Sequence, residues 1–341
     1  MKTKTFEDVF DPRANALNLI RLLLAGTVIV WHSFPLSGND IAWAPLRQLV
    51  SEVGVDGFFA ISGYLIVASW VRTPNWVRYL RARVLRILPA FWVCLIATAV
   101  IMAPLTAGVF GADNLSYVVR NAALWMFQYD IAGSPTGIPY ESVWNGSLWT
   151  LAWEFFCYIG VMILGLTGLL RKRLTLPILF VLALLGAVAT TFGPVDNNYV
   201  ALASRFGLMF LAGALVWQFR DRVPVRSAVV VGAAVILAVS ALLPNYRLIA
   251  ALPLAYLILV AGAHLKSPRL RLRNDISYGV YIYAFPVQQM LALAGVYELG
   301  VAVYALAAAV GTVPLAMLSW FLVEKPMMRL NKRSWALARR A

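Results

Sequence analysis

Stretches of about 20 consecutive apolar residues recur along this chain, and nothing constrains its fold more. Ten of them fall at 16–36, 54–71, 87–107, 147–170, 175–193, 199–218, 227–243, 248–264, 276–294 and 301–323. A helix of about 20 residues rises about 30 Å, the thickness of a bilayer's hydrocarbon core. The pattern predicts an all-α, polytopic membrane helix bundle of about ten transmembrane helices. Composition agrees, with 61% of the 341 residues hydrophobic and 13% charged, where a soluble domain carries about 25% charged residues. So apolar a chain is not disordered, and a basic nucleic-acid binder would hold far more charge. Two cysteines, Cys94 and Cys157, cannot staple a disulfide scaffold and read as buried free thiols.

The formal charge of +14 then becomes a statement about topology. With the N-terminus in the cytoplasm, 24 of the 29 Lys and Arg fall on the cytoplasmic side. Arg47, Arg120 and Arg247 fall on the other side, and Arg21 and Arg205 lie inside spans. This is the positive-inside bias, and it puts both termini in the cytoplasm. The stretch 115–131 contains Arg120, Asn121, Gln128 and Asp130. It reads as an interfacial or re-entrant helix, because a true span there would carry three basic loops and the tail outside. The first 15 residues lack the apolar core and cleavage site of a signal peptide, so the first span is expected to be retained. With no linker and no alignable repeat, residues 1–341 read as a single integral membrane domain with a short basic tail at about 325–341.

Ionisable side chains inside a span cost about 2.5–3.5 kcal/mol each, so every one is a functional candidate. The first span carries Arg21 and His32. Eleven residues make about 1100° of helix, some 20° past three turns, so the two share nearly one face about 16 Å apart along the axis. Arg21 either snorkels or acts, and His32 either bonds a neighbouring helix or serves as the chain's intramembrane base. Asp56, at the outer start of the second span, reads more plainly as a helix cap near the interface; the sharper alternative has it holding the His32 imidazole. Glu154 lies inside the fourth span, where a carboxylate needs a partner, with His32, Arg21 or Arg205 as candidates. It is a structural ion pair or a catalytic group. The run Arg78, Arg81, Arg83 and Arg86 binds anionic headgroups on one reading and forks onto phosphates on the other. Tyr278, Tyr281 and Tyr283 suit an interfacial belt. Pro286 is expected to kink its helix and free a carbonyl, and Gln288 and Gln289 lie deeper. Two distant histidines make a metal centre unexpected, and no phosphate-binding glycine loop or nucleophile elbow is present.

Taken in order, these segments resemble the acyltransferase-3 family of membrane O-acyltransferases. Arg21 and His32 match its Arg-x10-His signature, and Gly54 to Ile66 resembles its Gly-Val-Asp-x-Phe-Phe-x-x-Ser-Gly-Phe-Leu-Ile run, with Tyr64 in place of Phe. Arg83-Val-Leu-Arg86 is similar to its Arg-x-x-Arg segment. Trp149 to Glu154 resembles Trp-Ser-Leu-x-x-Glu, with Thr150 in place of Ser. Ile276 to Pro286 resembles its Ser-Tyr-x-x-Tyr-Leu-x-His-x-Pro run, with Ala284 where the family often has His. Val323-Glu-Lys-Pro326 matches its usual ending. The resemblance implies an enzyme of the bacterial inner membrane that transfers an acyl group, most commonly acetyl. Acetyl-CoA is then a co-substrate rather than a bound cofactor. The acceptor is a hydroxyl of a carbohydrate or lipid-linked glycan such as exopolysaccharide, O-antigen or lipooligosaccharide. It makes His32 the base, with Glu154 or Asp56 orienting the ring. Arg21, Arg78, Arg81, Arg83 and Arg86 become donor contacts, and Ser62, Trp149, Tyr278, Tyr281 and Gln288 line the acceptor pocket. The partners are then acyl-CoA, the glycan and the lipid bilayer, with no nucleic acid and no metal. The rival class is a transporter or flippase of a lipid-linked sugar, which the missing inverted repeat weighs against.

Overall fold

The computed structural model describes residues 4–193, 195–265, 270 and 272–330. The expected basic tail lies outside the described residues from position 331 onward, as do Lys2, Lys266, Arg269 and Arg271.

The chain is all-α. In order come α1 (Phe6–Val9), α2 (Leu17–Leu36), α3 (Ala44–Arg72), α4 (Trp76–Ala107), α5 (Ala112–Asn121), α6 (Thr150–Leu166) and α7 (Thr175–Phe192). There follow α8 (Asn198–Gln218), α9 (Ser227–Ser240), α10 (Arg247–His264), α11 (Ser277–Leu293) and α12 (Val301–Leu330). Every one of the ten apolar stretches is a helix. Seven of them, α2, α3, α4, α7, α8, α10 and α12, are long and apolar enough to cross a membrane. The other three are shorter: α6 and α11 have 17 residues and α9 has 14. Fourteen residues rise only about 21 Å. The stretch 115–131 is no span, because α5 stops at Asn121 after 10 residues. The Asn121 amide then bonds the backbone of Phe127 and Gln128, which turns the chain into an irregular segment running to α6.

The largest departure from expectation is at α3, which begins ten residues before position 54. Pro45 lies in its first turn, where a missing N–H costs nothing. The added turns carry Gln48 and Glu52, eight and four residues before Asp56 on one face. Hydropathy misses these turns because Arg47, Gln48, Ser51 and Glu52 are polar.

Two compact units divide the chain. The first comprises Met1–Leu24, Trp43–Tyr79 and Trp153–Arg273. Within it α3 crosses α8 with the backbones in direct contact: a Cβ on Gly63 would fall on the Phe210 carbonyl, and one on Gly213 on the Ala60 carbonyl. Small residues permit that approach, the usual basis of helix association in lipid. Beside the crossing Phe59 stacks on Phe206 at 4.4 Å. Along α7, Ile178, Val181, Leu182 and Leu185 are exposed, an outward apolar stripe suited to lipid. The segment before α2 is tied down by backbone bonds. Phe6 N–H donates to the Val223 carbonyl (2.8 Å), Glu7 N–H to Arg220 (3.0 Å) and Ala16 N–H to Gly262 (2.8 Å).

The second unit comprises Ala25–Ala42, Leu80–Ala152 and Asn274–Ala341. Here α11 packs on α12, where a Cβ on Gly279 would sit 2.8 Å from the Ala316 Cα. Both α4 and α12 pass through a π-helical turn, at Thr98–Met102 and Trp320–Glu324. Such turns mark places where a helix is re-aimed for a contact.

Candidate active site

In the second unit, His32 is half-buried on α2. Its ring meets the Phe285 edge at 5.1 Å and 71°. Nδ1 is buried and forms no hydrogen bond among the described residues. Nε2 makes no hydrogen bond among the described residues. Beside it, Gln288 is fully buried and donates to the Ile29 carbonyl (3.0 Å) and to Ser33 Oγ (2.9 Å). Gln289 donates to the carbonyls of Tyr140 (2.9 Å) and Val143 (2.6 Å). Both glutamines leave Oε1 buried without a donor among the described residues. Orphaned acceptors are rare in folded proteins and point to a missing partner.

Pro286 does what its chemistry requires. It removes the N–H that would bond Ile282, and that carbonyl instead accepts from Asn145 Nδ2 (2.8 Å) and Cys94 Sγ (3.2 Å). The Asn145 side chain in turn accepts from Ser147 N–H (3.1 Å). Tyr281 OH donates to the Ser147 carbonyl at 2.8 Å and pairs with the Thr150 hydroxyl. Tyr281 is therefore an anchor for the start of α6, while Trp149 is half-buried in the turn before it. Tyr278 OH donates to the Ile87 carbonyl at 2.9 Å, so it fixes α11 to α4 rather than belonging to an exposed belt.

Arg86 departs from the phosphate-fork reading. Its two terminal nitrogens donate to Asp275 Oδ2 and Glu324 Oε2, each at 2.7 Å. Its guanidinium also lies over the rings of Tyr278 and Trp320. It is held by the protein's own carboxylates. Arg83 is half-buried and Arg81 exposed.

In the first unit, Asp56 is no helix cap. It lies in the interior of α3 with no exposure, and Oδ1 accepts from Arg205 Nε (3.1 Å). Oδ2 accepts from Arg247 Nε (2.5 Å) and from the Tyr246 hydroxyl. Arg247 also pairs with Glu52. Arg247 is thus a buried residue opening α10, not a loop residue. Gln48 completes the stripe, accepting from Tyr246 N–H (2.6 Å) and donating to the Leu243 carbonyl (2.9 Å). Two charges in apolar surroundings are tolerated only when paired and hydrogen-bonded, and here four are.

Glu154 forms no ion pair among the described residues. Oε1 accepts from Ser62 Oγ (2.7 Å) and Tyr158 OH (2.5 Å), and Oε2 makes no hydrogen bond among them. The structure therefore brings Ser62 and Glu154 together in one unit and His32 and Gln288 in the other. Arg21 lies over the Phe58 ring at 5.7 Å, and Arg78 is half-buried at the start of α4. Sequence reasoning missed Glu52, Tyr246 and Arg247, and gave Asp275 and Glu324 no role. Glu324 had a signal, since it stands in the Val323-Glu-Lys-Pro326 run. No group of three or more metal-ligating side chains occurs among the described residues.

Residues 14–321 match the model of a family described as an acyltransferase domain. The chain is 30% identical over 323 residues to an O-acetyl transferase of Shigella phage Sf6, covering 92% of this chain and 96% of that one. It is 29% identical over 362 aligned positions to nodulation protein 10 of Rhizobium leguminosarum bv. viciae, covering 96% of each. No solved structure matches the chain.

Proposed function

From the premise that the chain belongs to the acyltransferase-3 family, we propose that this multi-pass membrane enzyme moves an acetyl group from acetyl-CoA to a hydroxyl of a surface or exported glycan. The observation that carries the reading is His32: a half-buried imidazole with an open Nε2, on the signature position, in a chain that aligns over 92% of its length with an O-acetyl transferase. His32 Nε2 takes the proton of the attacking hydroxyl as its oxygen bonds the thioester carbonyl carbon. The carbon–sulfur bond then breaks, and the imidazolium returns the proton to the departing thiolate, giving the ester and free coenzyme A. The two orphaned glutamine oxygens are acceptors for sugar hydroxyls. Glu154, with Oε2 open, is the second acid–base group. Asp56 already receives three donors, so a structural role fits it better than orienting the ring. Arg21 contacts the donor, and Arg78, Arg81 and Arg83 remain candidates for its phosphates, without Arg86. The site belongs to the bacterial inner membrane.

The test uses membranes carrying the full chain and radiolabelled acetyl-CoA. His32→Ala lowers ester formation and coenzyme A release by about 10²–10⁴-fold, the range of general-base loss, with unchanged membrane levels. A variant that still acetylates glycan overturns the base assignment. A wild-type protein that moves glycan without releasing coenzyme A overturns the transfer reading.

A further inference from the structure

A cavity of about 960 Å³ opens in the first unit where α2 begins and α3 and α8 end. Four arginines line it from four separate segments: Arg13 before α2, Arg72 ending α3, Arg220 after α8 and Arg273 after α10. Glu7 is the one acidic residue in its wall, and it is bonded to Arg220 Nε at 3.1 Å. Arg13, Arg72 and Arg273 form no ion pair among the described residues. The remaining wall is aromatic. Phe10 meets the Tyr64 ring at 5.1 Å, and the Arg220 guanidinium lies 4.9 Å over Trp217. The Tyr64 hydroxyl makes no hydrogen bond among the described residues. Tyr64 is also the position where this chain departs from the phenylalanine of the run it resembles, so the added hydroxyl faces a cavity rather than a protein partner.

We propose that this cavity holds the phosphorylated nucleoside end of the acyl-CoA donor, with Arg13, Arg72, Arg273 and Tyr64 on its phosphates. The inference rests on the acetyl-transfer reading and moves the donor's anchor away from the Arg78–Arg83 run. Coenzyme A carries a pyrophosphate and a separate 3′-phosphate on one nucleoside. Arginines arriving from several directions suit such spaced anions, each in bidentate geometry. An aromatic wall beside them suits a purine face. The volume falls within the range of small-molecule sites. Leu17 and Asn18 of the lining form the first turn of α2. The cavity therefore opens one turn before Arg21, on the helix that carries the signature. Anionic lipid headgroups share the phosphate chemistry but not the purine, and the experiment separates them.

Purified full-length protein in phosphatidylcholine nanodiscs is titrated with adenosine 3′,5′-bisphosphate, and acetyl-CoA kinetics are measured in parallel. Arg72→Gln combined with Arg273→Gln weakens nucleotide binding and raises KM about tenfold or more with kcat unchanged, as expected for charge-assisted contacts made equally in ground and transition states. Tyr64→Phe, which restores the residue usual in the resembled run and deletes one oxygen, gives the same split at about threefold to fivefold. The exposed Arg222→Gln changes neither. If the double variant binds the nucleotide as wild type while His32→Ala still abolishes transfer, the cavity assignment fails and the transfer reading survives. If the wild-type protein binds the nucleotide at the cavity yet releases no coenzyme A from acetyl-CoA, the donor role fails together with the transfer reading. If phosphatidylglycerol nanodiscs eliminate nucleotide binding and the double variant instead loses phosphatidylglycerol, the cavity is a headgroup site and the proposal falls.

Discussion

A carboxylate gripped by two guanidiniums in the first unit, and a guanidinium gripped by two carboxylates in the second, are inverse arrangements of the same elements. Asp56 has no exposure and joins α3 to α8 through Arg205 and to α10 through Arg247. Glu52 adds a second negative charge, so the four ions are neutral together. Arg86 keeps 18% exposure and joins α4 to the turn before α11 through Asp275 and to the π turn of α12 through Glu324. Here the formal charge is one negative in excess, and Lys325 donates to the neighbouring Asn274 side chain and lies over the Phe321 ring. The difference teaches where charge may remain open. The first cluster is charge-balanced and structural; the second carries a net negative charge and tolerates the imbalance. Neither cluster leaves a proton acceptor available for chemistry. His32 and Glu154, whose neighbours are neutral, do.

Breaking the neutral cluster has the largest expected effect. Asp56→Asn takes the carboxylate from Arg205 and leaves Arg247 with Glu52 alone, and costs about 3–5 kcal/mol, as for one-sided removal of a buried ion pair. The measurement is the folded fraction after graded heating in detergent, and a midpoint within error of wild type would remove the distinction drawn above. Arg86→Gln comes next, at about 2–3 kcal/mol, because the two carboxylates left facing each other can share one proton and so recover part of the loss. Adding Glu324→Gln returns part of that loss, and a double-mutant cycle with no coupling would separate Glu324 from the cluster. The smallest change is Glu7→Gln. Its pair with Arg220 is exposed, with side chains 35% and 52% accessible, so stability shifts by about 0–1 kcal/mol. A larger loss would make the Glu7–Arg220 contact a third structural cluster.

Much of this was legible in the chain. Pro286 announced a freed carbonyl, and Ile282 supplies it. Arg21, His32 and Glu154 stood out because charge is rare in apolar helices. The start of α3 was hidden, because hydropathy sees polar turns as loop even when their side chains are satisfied across the bundle. The same blindness placed Arg247 in a loop and made Asp56 a cap. It also left Arg86 looking like a phosphate ligand, since nothing near it in sequence is acidic.

By itself the sequence determined that the chain is helical and membrane-embedded, and which of its few ionisable residues lie among apolar neighbours. These are sums over neighbours in the chain, and local composition carries them. Only the tertiary structure decided which charges are neutralised and which remain open. The Asp56–Arg247 pair spans 191 residues and the Arg86–Glu324 pair 238. A buried ion's role depends on the partner it meets, and that meeting is set by how distant helices cross.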